Sequence, residues 1–231
     1  MRASLLLLAL AAGAAAAQNK PAPLLGAADI DPAAVLPPPP PPGSAQARAE
    51  LAELRAMQAS RTPADLAAAR HDSDTEDASI FADALGPRFD LARLPATAHL
   101  MAEVRATEKD AAARGKATFK RPRPWIVDPA LTPCSRGDKP LSSYPSGHTT
   151  MAFSMAGVLA RLVPGEASAI MARAARYGES RIVCEQHFRS DVTAGEALGL
   201  LVAERLMARP EFRADAEAAR RELADALAHR P

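Results

Sequence analysis

Three separated stretches of this chain concentrate side chains that can surround an anion and react with it. Lys116 is followed, after six intervening residues, by Arg123 and Pro124. Pro145, Ser146, Gly147 and His148 run consecutively, and Ser180-Arg181 is followed after five residues by His187 and after three more by Asp191. Moving a phosphoryl group requires fixed positive charge around three equatorial oxygens, an in-line nucleophile, and an acid for the leaving oxygen. Lys116, Arg123 and Arg181 can supply the charge. Gly147 lets backbone approach closely, and Ser146 with the amides that open the next helix offers donors where the helix dipole favours an anion. His187 and His148 can supply nucleophile and acid. Asp191 lies four residues after His187, so on a helix the two share a face, and the carboxylate accepts from one ring nitrogen while the other stays free. Each stretch alone carries little: a basic run such as KATFKRPRP is ordinarily a solvated charge, and a lone histidine is ordinarily surface or core.

These stretches need a frame to bring them together. The hydrophobic fraction is 48% but the aromatic fraction only 4%, in an alanine-rich chain of 231 residues, which favours closely packed helices over a β-sandwich. One all-α domain is expected. Lys and Arg number 28 against 27 Asp and Glu, and this balance excludes binding nucleic acid by bulk charge. Leu51, Leu54 and Met57 recur at helical spacing in a helix starting at Ala45, and Thr62-Pro63 opens another. Pro95 starts a long helix to about Arg114, with Leu100, Met101 and Val104 on one face and Gly115 near its end. Pro122 and Pro124 terminate anything helical around them. A buried helix follows Gly147 and stops at Pro164-Gly165; residues 166–179, 189–208 and a C-terminal stretch from Pro210 make three more. The acidic patch Asp72 to Asp77 fails as a calcium loop, because Asp77 stands where the loop needs glycine and Asp83 where it needs a bidentate Glu. It reads as a solvated face or a helix start.

The ends differ in kind. Residues 1–17, MRASLLLLALAAGAAAA, join a basic start to a short apolar run ending in small residues, as a cleavable secretory signal does. The run is too short to span a bilayer, so no membrane anchor is expected after cleavage, and the protein is expected in the periplasm or secreted. Residues 18–45 form a Pro-rich arm, extended at Pro37 to Pro42, that lies over the domain or serves as a linker. The domain itself occupies 46–231.

The three stretches resemble the tripartite signature of the phosphatidic-acid phosphatase type 2 and vanadium haloperoxidase superfamily. The surrounding text, with LPPPPPPGS, SYPSGHT and GESRIVCEQHFRSD, is similar to its bacterial class A nonspecific acid phosphatases from about Leu36 onward. The resemblance implies an all-helical bundle whose central helices gather the three motifs, and hydrolysis of small phosphate monoesters through a phosphohistidine with no metal or other cofactor. By position it makes His187 the nucleophile, Asp191 its orienting carboxylate, and His148 the acid that later activates water. Lys116, Arg123, Ser146, Gly147 and Arg181 hold the phosphate. His148 is expected protonated at rest and His187 neutral. The resemblance also admits a homodimer, because relatives often associate.

The chain departs from its relatives at Lys120, Arg121, Pro122, Trp125 and Glu185-Gln186, changes expected to alter the pocket rim. Cys134 and Cys184 flank two of the motifs, and in an oxidising compartment a bridge would pin them together; two buried thiols are the alternative. His71, His99 and His229 have no comparable company and read as non-catalytic. Competing functions are a vanadium-dependent haloperoxidase, a phosphotransferase using the same pocket, and a phosphate-binding module without catalysis.

Overall fold

The computed structural model describes residues 21–228; residues 1–17, expected as a signal, and His229 lie outside them. All regular structure among the described residues is helical. Ten α-helices follow in order: α1 Pro32–Val35, α2 Ala45–Ser60, α3 Pro63–Asp74, α4 Ala82–Leu85, α5 Pro95–Phe119, α6 Pro124–Val127, α7 Gly147–Leu162, α8 Ala167–Val183, α9 Arg189–Ala208 and α10 Pro210–Leu227. No helix among the described residues is long and apolar enough to cross a membrane.

At the centre lies α7. Its run from Thr149 to Leu159 is buried on every side, so the helix needs neighbours all round and is packed by α5, α8, α9 and α10. It approaches α9 most closely, because α9 turns two glycines toward it. A Cβ on Gly195 would stand 2.7 Å from the Ser146 carbonyl oxygen, and one on Gly199 2.6 Å from that of Thr150. Small residues there set the start of α9 directly beside the start of α7.

The helix α5 runs past the expected Arg114 to Phe119. Gly115 is inside it, and its missing side chain makes room for Pro145: a Cβ would lie 2.7 Å from the proline Cδ. Lys120, in the left-handed conformation at φ 46°, ends the helix, which places Lys116 in its last turn, where a cation suits the dipole. Pro122 and Pro124 were expected only to break helices, yet Pro124 starts α6, since a first-turn proline loses no hydrogen bond. The arm lies on the domain and enters its core through Leu25, Ile30 and Leu36. Thr107 accepts a hydrogen bond from Leu24, and Tyr144 donates one to the Pro37 carbonyl.

Cys134 and Cys184 form a disulfide across a sequence separation of 50. Closing a loop of that length restricts the unfolded chain by about 4 kcal/mol. A Cys134→Ser, Cys184→Ser double variant is expected to lose stability of that order in denaturant unfolding, with the midpoint falling and the slope rising as the unfolded chain expands. An unchanged midpoint would contradict the loop-closure account.

Candidate active site

Backbone hydrogen bonds stitch the three motifs into one wall. The Arg123 amide donates to the Pro140 carbonyl at 2.8 Å and the Ser143 amide to that of Arg121 at 3.1 Å, tying the first motif to the loop before the second. The Ser146 amide donates to the Asp191 carbonyl at 2.9 Å, tying the second to the third. Lys116, Arg123, Gly147 and His148 then line one cleft of 270 Å³, together with Glu76, Glu108 and Asp138.

The three cations come near one another, with Asp138 beside Arg123. Arg181 is 1% exposed, and its Nε and Nη1 have no hydrogen-bond partner. Arg123 is 2% exposed; its Nη1 donates to the Gln186 carbonyl at 2.8 Å and its Nη2 lies 3.1 Å from Asp138. Lys116 reaches across to Gly147, where a Cβ would stand 3.1 Å from its Nζ. Burial, helped by Arg123 and Arg181, lowers the Lys116 pKa to about 8, and burial brings Arg181 down to about 10. Buried guanidinium donors without acceptors are costly, and an anion held among these three cations relieves that cost. Ser146 caps α7, accepting from the amide and hydroxyl of Thr149, which leaves its own hydroxyl proton uncommitted.

His187 and Asp191 meet, though not on one helix face. His187 sits in the turn ahead of α9, and Asp191 is the third residue of that helix, accepting from the Phe188 amide at 2.8 Å. His187 Nδ1 stands 3.4 Å from Asp191 Oδ2, an approach without a formed hydrogen bond. On its other side, Nε2 is 3.0 Å from Arg123 Nη1. A guanidinium only donates, so Nε2 carries the lone pair and the ring proton belongs on Nδ1, facing the carboxylate. Burial first, and then Arg123, Arg181 and Lys116, hold His187 well below the usual histidine pKa.

His148 departs from expectation. Its Nε2 donates to the Ser73 carbonyl at 3.1 Å and lies 3.4 Å from Glu76 Oε1, with the ring stacked beside Tyr177 at 6.1 Å. Burial, followed by Arg181, drives its pKa well below 6.5, so this ring is neutral in the ligand-free cleft rather than protonated. Negative charge delivered beside Arg181 and Lys116 is what would let it hold a second proton.

Several residues near the site were missed or misassigned in the sequence. In the acidic patch Asp74, Glu76 and Asp77 are exposed and Asp77 caps the 3-10 turn Ala78–Phe81, but Asp72 is buried, accepting from Arg173 at 2.5 Å and from Ser180 at 2.6 Å, while Glu76 pairs with Arg105 beside His148. Arg121 is not on the rim. It is buried behind Asp191, bonding its Oδ1 at 2.6 Å and Glu50 at 2.7 Å, and Ser143 donates to Asp191 Oδ2 at 2.5 Å. Burial raises Asp191 to about 6, against the pull of Arg121 and Ser143. Trp125, Glu185 and Gln186 are likewise buried rather than at the rim. A signal existed for two of the missed carboxylates: Glu50 lies four residues before Leu54 and Glu108 four after Val104, each a charge on an apolar helix face.

His99 has company after all, since it, Glu103 and Asp215 bring one potential metal-ligand atom each within 4.8 Å of one another. The group lies about 25 Å along α5 from Lys116, well away from the cleft. His71 is exposed.

The PAP2 superfamily model matches residues 102–214, a span that holds all three motifs. An acid phosphatase of Zymomonas mobilis is 40% identical over 174 residues, covering 71% of this chain and 66% of that protein. This chain is a homologue of the PAP2-superfamily acid phosphatases. A non-specific acid phosphatase of Salmonella typhi is 34% identical over 118 residues, covering 50% of this chain and 47% of its own length. The chain thus spans 66% or less of these two relatives. The crystal structure of Aquifex aeolicus LpxE shares the fold with a TM-score of 0.53 and 23% identity, covering 67% of this chain and 92% of that one. Placed in the PAP2 frame, Lys116, Arg123, Gly147 and His148 line the cleft, while Arg181, His187 and Ser146 are buried and are not part of its lining.

Proposed function

We propose that this chain is a periplasmic or secreted acid phosphatase that hydrolyses small phosphate monoesters through a phosphohistidine at His187, without a metal. The observation that carries this is the unpartnered guanidinium of Arg181 near Arg123 and Lys116, with Arg123 itself against the lone pair of His187 Nε2. The arm 18–45 is then a brace on a catalytic domain 46–231, released by removal of residues 1–17.

The chemistry follows from these positions. A phosphate dianion enters among Lys116, Arg123 and Arg181 and draws Arg123 off Nε2. Ser146 and the amide of Gly147 at the α7 N-terminus donate to its oxygens. The same charge raises the pKa of His148 until it carries a proton. Nε2 attacks phosphorus as the bond to the leaving oxygen breaks, and His148 gives that oxygen its proton. Asp191 offsets the positive charge that develops on the His187 ring. Water then attacks phosphorus, neutral His148 accepts its proton, and the bond to Nε2 breaks to free inorganic phosphate.

The pH dependence has a definite sign. Lys116 loses its charge as pH rises through about 8, and the proton on His148 is lost on the same side, so the alkaline limb falls. Below about 6, Asp191 gains a proton and its hold on His187 weakens. Hydrolysis of an aryl phosphate, followed with chelator present from about pH 4 to pH 9, is expected to peak between about pH 6 and pH 8. A rate still climbing at the alkaline end, or one removed by the chelator, overturns the proposal.

A further inference from the structure

We propose that His99 and Glu103 of α5, with Asp215 of α10, form a binding site for one Zn²⁺ ion that clips the C-terminal helix to the bundle and takes no part in hydrolysis.

Each of the three residues brings a ring nitrogen or a carboxylate oxygen within 4.8 Å of the other two. His99 and Glu103 are four residues apart on one face of α5, with Nε2 3.9 Å from Oε1, beyond hydrogen-bond reach. Asp215 comes from α10, the helix whose Phe212, Ala216, Ala219 and Leu223 enter the core. Seven residues on, Glu222 is a satisfied carboxylate between the same two helices: it accepts from the amides of Ala96 and Thr97 and from the Thr97 hydroxyl. Glu103 and Asp215 lack such donors. Among the described residues no arginine or lysine forms an ion pair with either, and Glu103, 9% exposed, has its Oε2 buried without a partner. Burial disfavours the Glu103 charge, His99 offsets it, and Asp215 adds to the cost.

Two neighbouring carboxylates carry more negative charge than one imidazole can offset, even protonated. A divalent ion at Oε1 neutralises the whole carboxylate, the stranded Oε2 included. The donor set selects the ion. One ring nitrogen with two carboxylate oxygens suits zinc, completed by a water, whereas magnesium and calcium prefer oxygen alone. Bonds of about 2.0–2.2 Å place the ligand atoms of a tetrahedral site roughly 3.3 Å apart, so modest rotamer changes close this one. His99 is exposed and Asp215 half-buried, which gives an ion a way in from solvent. The group lies about 25 Å along α5 from Lys116, so loading or stripping it leaves the phosphate cradle untouched.

The test titrates the full chain, freed of metal by chelator and then of chelator, with Zn²⁺ in phosphate-free buffer, by calorimetry and by thermal unfolding. Wild type is expected to bind one equivalent, and zinc at about a hundredfold over Kd to raise the unfolding midpoint by about 5 °C or more. His99→Ala and Asp215→Asn, at positions open to solvent, should each unfold cooperatively without metal, yet bind zinc about 100-fold or more weakly. With chelator present, both should hydrolyse an aryl phosphate within about twofold of wild type. Absence of binding by wild type at about 0.1 mM zinc overturns the site, as does binding undiminished in both variants. A midpoint raised equally by Mg²⁺ would mean an acidic surface gathering counter-ions, and overturns it too.

Discussion

His187→Ala is expected to abolish turnover, lowering kcat on an aryl phosphate by roughly 10⁴-fold or more. The ring it removes supplies the lone pair, and nothing near it can substitute: Asp191 is saturated by Arg121, Ser143 and the Phe188 amide, and His148 is tied to the Ser73 carbonyl. The fold should persist, because Arg123 keeps its bond to the Gln186 carbonyl and its contacts with Ser142 when the ring is gone. Rapid quenching into alkaline denaturant, with labelled substrate, reads the same event directly. Wild type should retain a labelled phosphoryl group that acid releases and base does not, and the variant should retain none. Label on the variant would place the covalent step elsewhere. His148→Ala should behave differently, because an acid matters in proportion to how poor the leaving group is. Its loss should be larger on an alkyl phosphate than on an aryl one, and equal losses on both would remove His148 from that role.

How far the sequence could be read depends on the range of each interaction. Helix boundaries were legible where a cap or proline writes them locally: Thr62-Pro63 opens α3, Pro95 opens α5, and Ser146 caps α7. The three motifs were legible because residue type and spacing are themselves sequence facts. The support behind them was not. Arg121 meets Asp191 and Glu50 from 70 and 71 residues away, and Asp72 meets Arg173 from 101. Spacing says nothing about such pairs, so Arg121 read as rim and Asp72 as solvated surface. The relation of His187 to Asp191 shows a subtler loss. Four residues apart suggests a shared helix face, yet α9 begins after His187, and the pair meets because a helix start curls the carboxylate back over the preceding turn. The protonation of His148 was unreadable for a further reason, since it depends on burial of the ring and then on Arg181 and Lys116 gathering in three dimensions.

Arg181→Met is expected to lower kcat/KM by roughly 10³-fold and, in phosphate-free buffer, to raise the stability of the fold by about 1–2 kcal/mol. The two signs have one cause. The guanidinium is 1% exposed with two nitrogens unpartnered; burial disfavours its charge, and Arg123 and Lys116 repel it. Methionine fills similar volume with no charge to desolvate and no donor to satisfy. During catalysis the same guanidinium faces the charge that spreads over the equatorial oxygens, so its loss falls on the transition state. Inorganic phosphate should reverse the order of stability, because an anion that binds the folded state stabilises it in proportion to its affinity, and the variant has lost a principal contact. Thermal unfolding of both proteins with and without phosphate checks this, together with their kinetics. A variant less stable than wild type in phosphate-free buffer would mean that Arg181 has a structural partner in the fold, and its place as a charge reserved for the phosphoryl group would be lost.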